Sequence, residues 1–347
     1  MSRNIISVFA LAALAAGCGR TDRPQTHSAS AGATTTVVSG ASSATADSSG
    51  EARAEPAPVT YERAESAFGA GNFPEATQLF SSYTESNPEN PWGYYMLGLA
   101  AWKSGERDRA VSAFDRSLQL DPNHRKSLFN SSRVLLEMGR SQEALERIEK
   151  ALTQEPMSNE GLRLLGRARY QLGKVDDAVD AYRRALVTDD RDVWSMNNLG
   201  LIYIEQDRSN DALPPLARAV QLRSNAPAFQ NNLGLALERS GHPVAAAKAY
   251  ETAIAVDSTY QKASVALARV TAGQQETESE PVDLGSLAQQ FQSDVDTWRG
   301  SESMKDSIAT VRAVPDSVGE ILQPVNDSTT ASIESHGDTL ENCEHGE

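Results

Sequence analysis

Residues Pro91 to His124 read PWGYYMLGLAAWKSGERDRAVSAFDRSLQLDPNH, and this stretch decides the fold. Tyr94, Leu97, Gly98 and Ala101 fall at i, i+3, i+4 and i+7, the spacing of one helix face. Gly105 predicts the end of that helix, because glycine takes the left-handed cap conformation without a Cβ penalty. Ala110, Phe114 and Ser117 form the inner face of a second helix, and Ala110 is small enough for the two helices to approach closely. Pro122 closes the pair. One such hairpin leaves its apolar face uncovered, so it needs a neighbour on each side.

The pattern returns every 34 residues, in six frames without a gap: 57–90, 91–124, 125–158, 159–192, 193–226 and 227–260. The helix-closing position reads Gly71, Gly105, Gly139, Gly173, Asp207 and Gly241. The close-contact position is alanine throughout: Ala76, Ala110, Ala144, Ala178, Ala212 and Ala246. Four residues on stand Phe80, Phe114, Ile148, Tyr182, Leu216 and Tyr250. The Leu-Gly pair of the second frame returns at Leu165-Gly166, Leu199-Gly200 and Leu233-Gly234, but the third frame has Ser131-Ser132 and the first Arg63-Ala64. Pro214-Pro215 in the fifth frame predicts a late start or a kink in its second helix.

This pattern resembles the tetratricopeptide repeat family. The resemblance implies an all-α, right-handed solenoid of six helix-turn-helix repeats. Residues 261–272, QKASVALARVTA, supply one further helix to cap the last apolar face, so the solenoid occupies 57–273. In the family, the second, fifth, ninth and twelfth residues of each first helix line the concave groove. Those places give Tyr61 and Phe68, then Trp92, Tyr95 and Trp102, then Lys126, Phe129 and Arg133. Arg163, Arg167 and Tyr170 follow, and later Trp194, Asn197 and Asn231. Some members hold a peptide backbone with repeated asparagines, and Asn130, Asn198 and Asn232 match part of that ladder. The expected groove is thus aromatic first, basic in the middle and asparagine-lined later. Its three arginines point to acidic ligands, with the aromatics as anchors. Each of these residues also has a plain alternative, a ring packed on the next repeat or an arginine in solvent.

The chain opens MSRNIISVFALAALAAGCGR. Arg3 precedes an apolar run, Ile5 to Ala16, too short to span a bilayer and suited to a signal peptide. The run ends Ala15-Ala16-Gly17-Cys18, which resembles a bacterial lipobox with its leucine displaced by one, to Leu14. The resemblance implies a lipid on Cys18 and a place in the bacterial envelope. With Gly19 rather than aspartate next, it implies the periplasmic face of the outer membrane. Residues 19–56 are rich in Ser, Thr, Ala and Gly and read as a disordered tether.

The net charge is −15, and the excess is concentrated at the far end, where residues 274–347 hold sixteen Asp or Glu against three Lys or Arg. The solenoid has no domain-wide basic field, which argues against nucleic acid as a partner. The tail is disorder-like in composition, apart from two apolar stripes. Leu284, Leu287, Phe291, Val295 and Trp298 predict a helix over about 284–299, and Met304, Ile308 and Val311 mark a weaker one. The first stripe is expected to pack on the solenoid's end, with docking on a partner or in the chain's own groove as the alternative. Cys343 and His345 alone make no metal site. His27, His124, His242, His336 and His345 fall in turns, tether or tail, and no HExxH, GxSxG or phosphate loop occurs. The sequence therefore points to a non-enzymatic scaffold or assembly factor, without a cofactor, that binds a protein or peptide. By architecture it is similar to the type IV pilus pilotins. An adaptor that positions an envelope enzyme, such as a cell-wall hydrolase, is the alternative.

Overall fold

The computed structural model describes residues 59–273 and 281–301, which contain fourteen α-helices and no strand. Cys18, Cys343 and the stripe Met304, Ile308 and Val311 lie outside the described residues. The first helices of the hairpins are α1 (Tyr61–Gly69), α3 (Pro91–Lys103), α5 (Arg125–Glu137), α7 (Asn159–Gln171), α9 (Val193–Glu205) and α11 (Pro227–Arg239). The second helices are α2 (Phe73–Ser86), α4 (Arg107–Leu120), α6 (Ser141–Gln154), α8 (Val175–Thr188), α10 (Ser209–Leu222) and α12 (Pro243–Val256). They are followed by α13 (Gln261–Gly273) and α14 (Leu284–Gly300). No helix among the described residues is long and apolar enough to cross a membrane.

Two columns of residues set the hairpin. The residue after each first helix's C-cap has positive φ, from +71° to +83° at the five glycines and +58° at Asp207. The next residue's N–H then reaches back to the last turn: Glu106 N to Ala101 O is 2.8 Å, and Arg208 N to Tyr203 O is 2.8 Å. The second column starts the helix. Asn90, His124, Ser158 and Asp192 each accept first-turn N–H groups with their side chains, and Thr60 does so for α1. Ala226 occupies the same place before α11 and gives no cap.

Packing is between neighbours. From α1 to α13 each helix lies against the next, and first helices also meet across repeats: α3 on α5, α5 on α7, α9 on α11 and α11 on α13. Second helices are not drawn together in this way, so the first helices lie on the inner, concave side of the stack. The alanine column is fully buried, and Phe80, Phe114, Ile148, Tyr182, Leu216 and Tyr250 are buried behind it. A Cβ on Gly98, Gly166, Gly200 or Gly234 would fall 2.4–2.6 Å from the facing Phe114, Tyr182, Leu216 or Tyr250. The apolar core forms two parts that meet inside the fourth repeat, on adjacent strips of α8: Ala181 and Ala185 belong to one, Ala178, Tyr182 and Leu186 to the other.

Two expectations need correction. The second helix of the fifth frame does not start late. It begins at Ser209, in register with the other five, and runs through Pro214 and Pro215. The N–H groups that proline lacks would have met the carbonyls of Asn210 and Asp211, both exposed residues that water can serve. Nor does α14 cap the end of the solenoid or enter the groove. It lies along the outer flank, on α10 and α8. The flank explains why. At Pro214 the other frames carry Gln78, Ser112, Glu146, Asp180 and Lys248, and at Ala217 they carry Ser81, Asp115, Glu149, Arg183 and Glu251. Only the fifth frame is apolar at both outward places, and Pro214 and Ala217 are buried. Phe291 and Val295 of α14 join the same core as Leu213 and Leu216. Polar contacts then fix the helix: Arg218 donates to Gln292 (3.0 Å), Gln292 donates to Asp190 (3.1 Å), and the Arg183 guanidinium stacks 4.9 Å from the Trp298 ring.

Candidate functional site

The groove residues expected from the sequence all lie on first helices, but most of them are already used within or between repeats. Tyr95, Phe129 and Asn197 are buried and do not line an open surface. Tyr95 and Phe129 belong to the inter-repeat core, which is the plainer role large aromatics take. The middle of the groove is not openly basic either. Arg133 pairs with Glu160 at 3.0 Å, and Arg163 with the buried Asp192 at 3.4 Å, their side chains only 14% and 12% exposed. Arg167 is half-buried and also interacts within the fold. The expected acidic ligand for these arginines is thus largely supplied by the chain itself.

A hydrogen-bonded rail runs along one edge of the first helices. Trp102 Nε1 donates to Glu137 (2.9 Å), Gln171 to the Leu136 carbonyl (3.3 Å), Tyr170 to Glu205, and Arg239 to the Ile204 carbonyl (3.0 Å). Every step spans 35 residues, one repeat plus one. Burial and then the Glu205 carboxylate push the Tyr170 phenol up to about 12, so it stays a donor at neutral pH. The asparagines are likewise engaged. Asn130 donates to the Lys126 carbonyl (3.0 Å), Asn231 to Asn232 (3.4 Å) and Asn232 to Asn197 (2.8 Å). Asn198 is half-buried. Trp194 packs edge-on against Phe229 with Arg223 over its ring, and Tyr61 packs on Phe80 and Tyr83. Phe68 stacks edge-on with Phe73 of its own hairpin.

One place differs. At the start of α3 and α5, the Trp92 side chain is 45% exposed, the only aromatic among the exposed large apolar residues described. Lys126 holds its ammonium 5.5 Å from that ring, and none of the described carboxylates pairs with it. Beneath Trp92, in edge-on contact at 4.6 Å, lies His124, only 6% exposed. Its Nδ1 accepts from the Ser127 backbone N–H (3.2 Å) and lies 2.8 Å from the Ser127 hydroxyl. An accepting Nδ1 carries no proton, so in the neutral ring Nε2 is the donor, and Nε2 is buried without a partner. Sequence reading placed His124 in a turn and missed it. The signal was the capping column, where it replaces Asn, Ser and Asp.

Burial holds the His124 imidazole below its ordinary value of 6.5. Asp121 opposes this shift, and Lys126 adds to it. The depressed value means that the unfolded chain binds the proton more readily than the folded one. Stability from this residue is therefore fully present above pH 6.5 and falls as pH drops from there toward the folded value. Denaturation midpoints at pH 7.5 and 5.5 should show a larger acid loss in the native chain than in His124→Asn, which keeps a cap of the Asn90 kind. Equal losses would remove this role.

Among the described residues no cluster of three or more His, Cys, Asp or Glu could hold a metal ion. The sequence profile of the tetratricopeptide repeat matches residues 61–125, 129–192 and 197–261. A tetratricopeptide repeat protein from Parabacteroides merdae is 13% identical, with 60% of this chain and 82% of that one covered, at a TM-score of 0.52. The Cut9–Hcn1 hetero-tetramer of the APC/C gives 17% identity, 60% and 41% coverage and a TM-score of 0.53. The Thermus thermophilus protein TTC0263 gives 21% identity, 53% and 100% coverage and 0.47. No curated protein matches the sequence.

Proposed function

The chain belongs to the tetratricopeptide repeat family, and on that premise we propose that it is a non-catalytic interaction scaffold of the bacterial envelope. It takes an extended peptide or a partner helix on its concave face, and a lipid on Cys18 holds it at a membrane. The observation that carries the reading is the patch at Trp92 and Lys126. Elsewhere on that face the expected aromatic and charged side chains are spent on contacts within or between repeats, whereas here an exposed indole stands beside an ammonium that none of the described carboxylates pairs with. Exposed tryptophan is among the residue types that dominate binding energy, and truncating such an anchor costs about 2 kcal/mol or more.

The test is capture of partners from solubilised envelope by the intact chain and by Trp92→Ala. The variant should keep its helix content and recover at least about tenfold less of the specific partner. Equal recovery would move the site away from this patch. Cys18→Ser should leave the membrane fraction, and a mature N-terminus without acyl chains would remove the anchor.

A further inference from the structure

We infer that the patch at Trp92 and Lys126 is occupied in the resting protein by the chain's own acidic terminal segment, residues 302–347, which α14 delivers to it. The inference rests on the reading of that patch as the ligand site. Three observations converge on this occupant.

The first is what the patch lacks. Lys126 has an aromatic neighbour, and none of the described carboxylates pairs with it. Its ammonium suits a carboxylate, and the exposed Trp92 ring offers apolar cover beside it. Arg133 and Arg163 do not compete for such a group, because Glu160 and Asp192 already hold them.

The second is where the tail begins. The last turn of α14 is fastened to the end of α8 and the loop that follows it: Arg299 donates to the Val187 carbonyl (3.5 Å) and pairs with Asp190 (3.6 Å). Two residues on, Asp192 caps α9 and takes Arg163 on the concave side. This loop joins the outer flank to the groove, so the tail leaves α14 at the groove's edge. Trp92 and Lys126 lie at the starts of α3 and α5, on the same edge as the start of α9. Lys126 is two repeats away from that loop. Helices packed 8–10 Å apart put two such steps at roughly 20 Å. About six extended residues cover that distance, so Asp306 and the carboxylates after it can reach.

The third is charge. Residues 302–347 hold ten Asp or Glu against two Lys or Arg. Tethered at the groove's edge, such a segment acts at an effective concentration in the millimolar range, so a weak contact suffices for occupancy. A partner with a similar acidic and apolar segment would have to displace it.

Carbodiimide cross-linking of the full chain tests this, since the reagent joins a lysine amine to a carboxylate in contact with it. An equal mixture of light and heavy isotope-labelled protein separates links within a chain from links between chains. Lys126 should couple to carboxylates of 302–347 within one chain, at least tenfold more than between chains. The yield should drop several-fold in 0.5 M salt as the charges are screened. Acrylamide quenching, taken as the difference from Trp92→Phe, should rise when Lys126→Glu repels the tail. Links from Lys126 only to solenoid carboxylates, or only between chains, would overturn the inference, as would quenching unchanged by Lys126→Glu. If those results appear while Trp92→Ala still loses the envelope partner, the tail inference fails and the ligand site stands. If the tail couples to Lys126 but Trp92→Ala captures the partner normally, the partner reading fails instead.

Discussion

Gly166→Ser is expected to destabilise the chain by about 2–3 kcal/mol, as overpacking of a closed core does. The new Cβ would fall 2.6–2.8 Å from three atoms of the Tyr182 ring, and that ring is fully enclosed and has nowhere to go. The third repeat shows the compensation already built into this chain. There serine stands at 132, and the facing residue is Ile148 instead of an aromatic. The Ser132 hydroxyl is served by the Leu128 carbonyl at 2.7 Å, and Leu162 offers the corresponding carbonyl below position 166. Tyr182→Ile alone leaves a cavity above Gly166 and also costs stability. The double variant should then recover at least about 1 kcal/mol relative to the sum of the singles. Urea midpoints of the four proteins give the coupling. Strictly additive losses would mean that Gly166 and Tyr182 do not share one packed volume.

That coupling shows what could be read along the chain. Gly98 with Phe114, Gly166 with Tyr182 and Gly234 with Tyr250 all sit 16 residues apart within one frame. A period of 34 therefore brings them to the eye together, and the positive-φ column is visible for the same reason. The groove was less legible, because its chemistry is settled between frames. Arg133 meets Glu160, Trp102 meets Glu137 and Tyr170 meets Glu205, at separations of 27 and 35 residues. These pairs become visible only when first helices are stacked side by side. Read singly, the same residues form a list of basic and aromatic side chains pointing into a groove. The position of α14 was legible in principle. Its own stripe was found, but the receiving surface required comparing outward positions of the second helices, where Pro214 and Ala217 break a polar column.

Ending the chain at Gly273 should loosen the fifth repeat and leave the second intact. Solenoid stability is local, a sum of repeats and their nearest interfaces, so the loss of a flank helix is felt where it docks. The α10 helix is the weakest second helix by composition, since each of its two prolines removes a backbone bond. The packing of α14 over Leu213, Pro214 and Ala217 offsets that deficit, and Phe291, Val295 and Trp298 supply the apolar contact. Without them we expect a loss of about 3 kcal/mol in α9 and α10, roughly a hundredfold drop in amide protection there. Protection in α3 and α4 should stay as it was. Phe291→Ala in the full chain sharpens the test. A buried phenylalanine replaced by alanine costs 3–5 kcal/mol if its helix stays in place. The loss cannot exceed the docking free energy of α14, because beyond that point the helix detaches. Phe291→Ala and truncation should therefore give the same protection pattern, and combining them should add nothing. Once bared, the patch should also promote self-association at high protein concentration, since a contiguous apolar surface has been uncovered on a flank that is polar in the other repeats. Unchanged protection in α10 after truncation would mean that the two prolines are tolerated by the repeat stack alone, and that α14 serves only to place the segment that follows it.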